Sequence, residues 1–265
     1  MTEQIPDAMA LTLVGGFGLI VGSFLNVCIY RLPRRESLVL PASHCTACGR
    51  SLQWFENVPV LSYLILRGRC RTCGVRISPV YPMIEMAAAA VALIWYGQFG
   101  QQPLLFVARL VFAWALLVLF VIDLRQRILP NVITLPGIIV GFLFSLLAPP
   151  DTPGWRESLI GLVAGGGVLY LLAEGWRLIR HEEAMGGGDI KMLAMIGAFL
   201  GWQLMIFTLV FSSLLGALIG LTLIATGKGN RKSQLPYGTF LALAALAACV
   251  VGQPVVNWYV DRLWR

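Results

Sequence analysis

Between Lys191 and Lys228 the chain runs through 36 residues without a charged side chain. As one helix that stretch would be about 54 Å long at 1.5 Å per residue, whereas the hydrocarbon core of a bilayer is only about 30 Å thick. The stretch therefore reads as membrane-embedded and broken by a turn, and Gly201-Trp202-Gln203 is the natural place for it. The rest of the chain agrees. Only 12% of its residues are charged and 58% are hydrophobic, against about 25% charged in ordinary soluble domains. A first uncharged run covers 8–30, preceded by Glu3 and Asp7 and by no basic residue. That start does not fit a cleavable signal peptide, so the run is read as a permanent span with its N-terminus outside.

The expected fold class is an all-α polytopic membrane protein with about eight transmembrane helices and a small cytoplasmic zinc-binding loop domain. The helices are expected at 8–30, 82–97, 103–122, 130–148, 157–179, 189–201, 203–226 and 236–258, the sixth being short. The organisation follows as 1–30, a first transmembrane helix; 31–80, a cytoplasmic cysteine-rich loop; and 81–265, a transmembrane core. Charge orients it. The loop 31–80 carries Arg31, Arg34, Arg35, Arg50, Arg67, Arg69, Arg71 and Arg76 against only Glu36 and Glu56. The later connections alternate: uncharged near 98–102, basic at Arg125 and Arg127, near neutral at 151–157, then basic at Arg177, Arg180 and Lys191, and again at Lys228, Arg231 and Lys232. Basic loops on alternate sides are the positive-inside pattern. It leaves both termini outside, and the Arg262 and Arg265 tail fits this less well. Nucleic-acid binding is set aside, because the basic cluster comes with no soluble recognition fold.

Two acidic residues stand at the cytoplasmic ends of expected helices. Asp123 follows the apolar run 110–122, and Asp189 follows Met185-Gly186-Gly187-Gly188. A carboxylate beside hydrocarbon is costly and usually marks a functional site. Two that meet cannot easily both ionise and so share a proton, the arrangement an aspartyl protease uses. The ionised carboxyl takes a proton from water, and the protonated one polarises the peptide carbonyl. Gly186 and Gly188 would let extended substrate backbone pass close by. Lys191 could orient Asp189 or meet an acidic group on the substrate. The plainer alternative is that Asp123 pairs with Arg125 or Arg127 and that Asp189 caps its helix.

Cys45-Thr46-Ala47-Cys48 and Cys70-Arg71-Thr72-Cys73 form two C-x-x-C pairs separated by 21 residues, each followed by glycine. This is close to the two-knuckle zinc pattern, in which four thiolates make a closed structural Zn²⁺ site. Unliganded or redox-active thiols are the alternative, and His44 beside the first knuckle could replace a thiolate. Cys28 and Cys249 read as small core residues, and His181, beside Glu182 and Glu183, as solvated. Arg109 reads as snorkelling to the interface. Glu85 and Glu174 read as interfacial and solvated, with a place lining the site as the alternative, and Ser23 and Asn26 as helix–helix hydrogen-bonding groups.

Six ordered blocks make the chain resemble the type IV prepilin peptidases, which are GxGD aspartyl proteases. They are Gly22-Ser23-Phe24-Leu25-Asn26-Val27 with Arg31-Leu32-Pro33; Asn57-Val58-Pro59-Val60-Leu61-Ser62-Tyr63 with Arg67-Gly68-Arg69-Cys70; Tyr81-Pro82 with Glu85; Asp123 with Leu129-Pro130 and Thr134-Leu135-Pro136; Gly186-Gly187-Gly188-Asp189-Ile190-Lys191; and Leu235-Pro236-Tyr237-Gly238. Thr46, Asn131 and Val80 depart from the family's usual Pro, Asp and Arg. The resemblance implies Asp123 and Asp189 as the catalytic pair and makes 81–265 the protease core. It implies a multi-pass protein of the bacterial inner membrane with its site on the cytoplasmic side. The substrate it implies is a prepilin or type II secretion pseudopilin, cut after a glycine that ends a basic leader. It also implies N-methylation of the new N-terminal residue with S-adenosylmethionine. No strand–glycine-turn–helix unit marks a site for that donor; Glu56, Gly68 and Arg69 in the cysteine loop are the place to look, although Gly68 also reads as a turn residue and the two charges as solvated. The sequence leaves the oligomeric state open. Other readings are a peptidase without methyl transfer, a proton-coupled transporter using both aspartates, or a non-catalytic assembly scaffold. The transporter reading explains no cysteine loop and comes with no internal repeat.

Overall fold

The computed structural model describes residues 8–147, 152–181, 186–227 and 235–263. Glu3, Asp7, Glu182, Glu183, Met185, Lys228, Arg231, Lys232 and Arg265, named above, lie outside them, as does position 151 of the near-neutral connection. Among the described residues there is no strand; two isolated antiparallel bridges join His44 to Ser51 and Arg69 to Arg76. The helices are α1 (Ala8–Arg31), the short α2 (Leu61–Ile65), α3 (Val80–Phe99), α4 (Pro103–Gln126), α5 (Asn131–Leu146), α6 (Trp155–Arg180), α7 (Gly187–Ala225), α8 (Tyr237–Ala247) and α9 (Gln253–Leu263), with a π-helical turn at Ala248–Gly252 between the last two.

Among the described residues, six helical segments are long and apolar enough to cross a membrane: Ala8–Arg34, Val80–Phe99, Pro103–Gln126, Trp155–Arg180, Gly187–Ala225 and Tyr237–Arg262. The difference from the eight expected lies in two places. The fourth expected span is α5, which has only 16 residues. The sixth and seventh run on as α7, broken inside at Gly201, whose φ of 76° and ψ of 172° are not helical. Glycine reaches that φ without the clash a Cβ would bring, so the break falls where the 36 uncharged residues require one.

The chain divides into two compact units, Met1–Phe106 and Val107–Arg265. In the first, α1 and α3 touch backbone to backbone. A Cβ placed on Gly22 would lie 2.6 Å from Cα of Glu85, the small-residue contact by which helices associate in lipid. Asn26 Nδ2 donates to the Tyr81 carbonyl at 3.0 Å, so it is a helix–helix group. Glu85 departs from its expected exposure. It is 8% exposed and accepts the Val60 backbone N–H at 2.8 Å, because α1 covers its face of α3.

In the second unit, Phe112, Leu116 and Leu119 of α4 pack with Leu169 of α6, with Met192, Met195 and Ile196 of α7, and with Leu241 and Ala245 of α8. α6 meets α7 through Gly161 and Gly197, and Ser158 Oγ donates to the Ala198 carbonyl at 2.6 Å. Arg109 does not snorkel. It is buried, with Nη1 towards Cys249 Sγ at 3.9 Å, on the covered face of α4 that also holds Ala108, Phe112 and Ala113. Glu174 stays partly exposed and pairs with Arg177 one turn on.

Candidate functional site

Asp123 lies near the C-terminal end of α4 and is 4% exposed. Its Oδ2 accepts two donors, the Thr239 backbone N–H at 2.6 Å and the Thr239 hydroxyl at 2.9 Å. Thr239 stands in the first turn of α8, where backbone N–H groups have no partner inside the helix. The carboxylate of one helix thus caps another, at the end where the helix dipole favours negative charge. Gly238 makes the approach possible, since a Cβ there would lie 3.1 Å from Asp123 Cγ. Neither Arg125 nor Arg127 forms an ion pair with Asp123 among the described residues.

Asp189 is half-buried in the first turn of α7. The N-cap of that helix is Gly186, and no side chain caps it. Asp189 donates its backbone N–H to the Gly186 carbonyl at 3.1 Å. Leu129, between α4 and α5, links the two acidic ends. A Cβ on Gly188 would lie 2.9 Å from Leu129 Cβ, and one on Gly238 would lie 2.9 Å from Leu129 Cδ1. Asp123 and Asp189 act on each other electrostatically. Lys191 does not reach Asp189; its Nζ donates to Asn131 Oδ1 at 2.9 Å and ties α7 to the start of α5. Gly186 is exposed at the mouth of this group and Gly188 is half-buried against Leu129. Sequence reasoning missed Thr239. The available signal was Pro236-Tyr237-Gly238-Thr239, a proline-started helix whose second residue has no Cβ.

The four cysteines come together in the first unit. The sulfurs of Cys45, Cys48, Cys70 and Cys73 all lie within 4.8 Å of one another, and those of Cys45 and Cys73 are 3.8 Å apart. Tetrahedral zinc with Zn–S bonds of about 2.3 Å spaces its sulfurs about 3.8 Å apart, so the cluster fits zinc. Each pair sits in a tight turn closed by glycine at positive φ, Gly49 at 71° and Gly74 at 69°. The backbone N–H groups of Cys73 and Thr72 point at Cys70 and lower its thiol to about 6. Those of Cys48 and Ala47 lower Cys45 likewise. Cys73 is instead pushed up to about 11: the Val75 backbone N–H lowers it, but burial and the neighbouring thiols together outweigh that. Thiolates are the form a metal takes. His44 Nδ1 lies 3.1 Å from the Ala42 carbonyl and outside the cluster. Glu56 is not solvated as expected. It is buried and accepts Arg50 Nη2 at 2.6 and 2.9 Å. Gly68 is the turn residue it was read as, at φ 66°, and Arg69 is exposed.

Comparison with known proteins covers most of the chain. Residues 17–99 match the family described as Bacterial Peptidase A24 N-terminal domain, and residues 110–221 match the Type IV leader peptidase family. A protein of Pseudomonas putida named prepilin leader peptidase/N-methyltransferase is 38% identical over 94% of this chain and 93% of its own. Proteins of the same name from Aeromonas hydrophila and Pseudomonas aeruginosa are 37% and 34% identical, covering 95% and 92% of this chain and 94% and 91% of theirs. No solved structure matches.

Proposed function

The chain belongs to the type IV leader peptidase family, and on that premise we propose that it is a multi-pass membrane endopeptidase that removes the leader of prepilins and N-methylates the new N-terminus. The observation that carries the peptidase reading is the group formed by Asp123, Thr239, Gly238, Leu129 and Gly188 next to Asp189. Asp123 and Asp189 are the catalytic pair. Two donors fill Asp123 Oδ2, which suits an ionised carboxylate. Oδ1 then takes the proton of the attacking water. Asp189 carries the other proton and polarises the scissile carbonyl. Water adds to that carbonyl, and a proton passes to the leaving amine as the C–N bond breaks. Gly186 and Gly188 leave room for extended substrate backbone, and Lys191 positions the glycine turn through Asn131.

The substrate in this reading is a prepilin or pseudopilin, cut after the glycine that ends its basic leader, at the cytoplasmic face of the bacterial inner membrane. The eight-span topology, in which α5 and both halves of α7 cross, places both aspartates at that face; the basic loops support it. Cys45, Cys48, Cys70 and Cys73 hold a structural Zn²⁺ that folds the 31–80 loop and takes no part in hydrolysis. S-adenosylmethionine, when bound, supplies an electrophilic methyl group for the new N-terminal amine.

Incubation of the purified protein with a prepilin and S-adenosylmethionine, followed by mass spectrometry of the product, tests both activities. Loss of the leader and gain of one methyl group are expected; an uncut prepilin would overturn the reading. Thr239→Val tests the positioning of Asp123. Valine keeps the shape and the backbone N–H but removes one charge-assisted hydrogen bond, worth about 1.5–3 kcal/mol. The expected result is a kcat lower by roughly 10- to 100-fold with KM little changed. An unchanged kcat would remove Thr239 from the site.

A further inference from the structure

One face of α1 is open beside the loop. Gly18 and Gly22 seat the helix against α3. Ile20, Phe24, Val27 and Arg31 follow one another at helical spacing on the opposite side. With Leu38 and Val39 of the loop they line a groove of about 410 Å³. Ile20 is 64% exposed and Phe24 50%. From Ile20 to Arg31 the helix rises about 16 Å, close to half of a hydrocarbon core about 30 Å thick. The groove thus has the depth of one leaflet and belongs to a helix long and apolar enough to cross a membrane. Its charged end is unusual. Arg31 is 5% exposed and donates Nη1 to the Ser37 carbonyl at 2.8 Å and Nη2 to the Pro41 carbonyl at 2.7 Å. Among the described residues no carboxylate pairs with it. Ser43 and Asn57 also line the groove, and Arg34 and Arg35 stand exposed just beyond the helix end.

We propose that this groove holds one anionic phospholipid, with its phosphate against Arg31 and an acyl chain along Ile20, Phe24 and Val27. The proposal goes beyond the peptidase and methyl-transfer reading and does not depend on it. Carbonyls satisfy N–H donors of Arg31 but bring no charge to match its own. A buried cation without an anion is costly, and a phosphate supplies one in a geometry the guanidinium fork suits. Ser43 and Asn57 offer hydrogen bonds to the rest of a headgroup. The headgroup is net anionic rather than zwitterionic, because Arg31, Arg34 and Arg35 are offset nearby in the chain only by Glu36. The same charges repel a basic peptide. A free phosphate would leave the apolar wall bare, whereas a lipid covers both ends of the groove at once. The second cavity of the unit, about 510 Å³, collects Arg67, Arg69 and Arg76 but has no wall from α1, and so offers no path for an acyl chain.

The test titrates the full-length protein in detergent with phosphatidylglycerol or phosphatidylcholine and counts retained lipid by native mass spectrometry, with melting temperature and helical signal as fold controls. Wild type is expected to retain one phosphatidylglycerol at least about tenfold more tightly than phosphatidylcholine. Arg31→Gln should erase that preference. Val27→Trp fills the groove from the helix side, leaves Arg31 in place, and should lose the lipid. Arg69→Ala, in the other cavity, should bind as wild type. Phosphatidylglycerol with a photoreactive acyl chain, mapped on wild type, is expected to label 20–27 and 38–39. Arg31 also ties the loop, so if Arg31→Gln does not fold, the photolabel and Val27→Trp decide. Labelling only elsewhere, a folded Val27→Trp protein that keeps the lipid, or equal retention of the two lipids by wild type would each overturn the proposal. Displacement of phosphatidylglycerol by an equal concentration of inorganic phosphate would overturn it in favour of a phosphate site.

Discussion

Asp123→Asn and Asp189→Asn are each expected to lower prepilin cleavage by about a thousandfold, within the range that loss of a general acid or base produces. Asparagine has nearly the size of aspartate, so neither change opens a void in the packed end of α4 or in the first turn of α7. At position 123 the amide oxygen can still accept the Thr239 N–H and hydroxyl that now meet at Oδ2. What is lost is the ability to take a proton from water at 123, or to hold and release one at 189. The two groups act as a unit, so the double variant is expected to be little worse than either single one. Asp123→Glu is expected to fail as well, for a different reason. Gly238 lies tight against this carboxyl, and an added methylene there would displace α8. Initial rates on a purified prepilin check all four variants. Either asparagine variant cleaving within tenfold of wild type would remove that residue from the chemistry.

What the sequence made legible was whatever depends on local spacing. The uncharged run 192–227 required a break, and Gly201 supplies it. The paired C-x-x-C turns required glycine at 49 and 74, and both sit at positive φ. Three charged residues were read wrongly, and all in the same direction. Glu56, Glu85 and Arg109 were expected to seek water, and all three are buried. Local sequence shows that a charge lies near a helix end but not whether a neighbour covers that end. For Arg109 a signal existed. α4 is apolar on every face, and such a helix belongs in the middle of a bundle, where a long side chain has no water to reach. Thr239 is separated from Asp123 by 116 residues. Its role depends on where the open end of α8 points, which spacing does not reveal.

Removing zinc is the second change expected to have a large effect, because the segment it ties has almost nothing else inside it. Between positions 32 and 81 only Glu56, Gly68 and Cys70 are buried, while Val39, Leu40, Trp54, Leu61 and Ile65 are exposed. A segment without an apolar core cannot offset its chain entropy by burial and needs a metal or another staple. The four thiols can supply one by holding a metal between the turn at 45–48 and the turn at 70–73. A closed tetrahedral site needs all four, so Cys45→Ser or Cys70→Ser each breaks it from a different turn. Purified protein is expected to contain about one zinc per chain, and either substitution is expected to release it. The 31–80 segment should then be cut by a soluble protease at least about tenfold faster, since metal binding here is folding free energy, while the spans keep their helical signal. A metal-free protein whose loop still resists the protease would show that Arg50–Glu56, Arg31 and Glu85 hold the loop without zinc, and would leave the thiols for another chemistry.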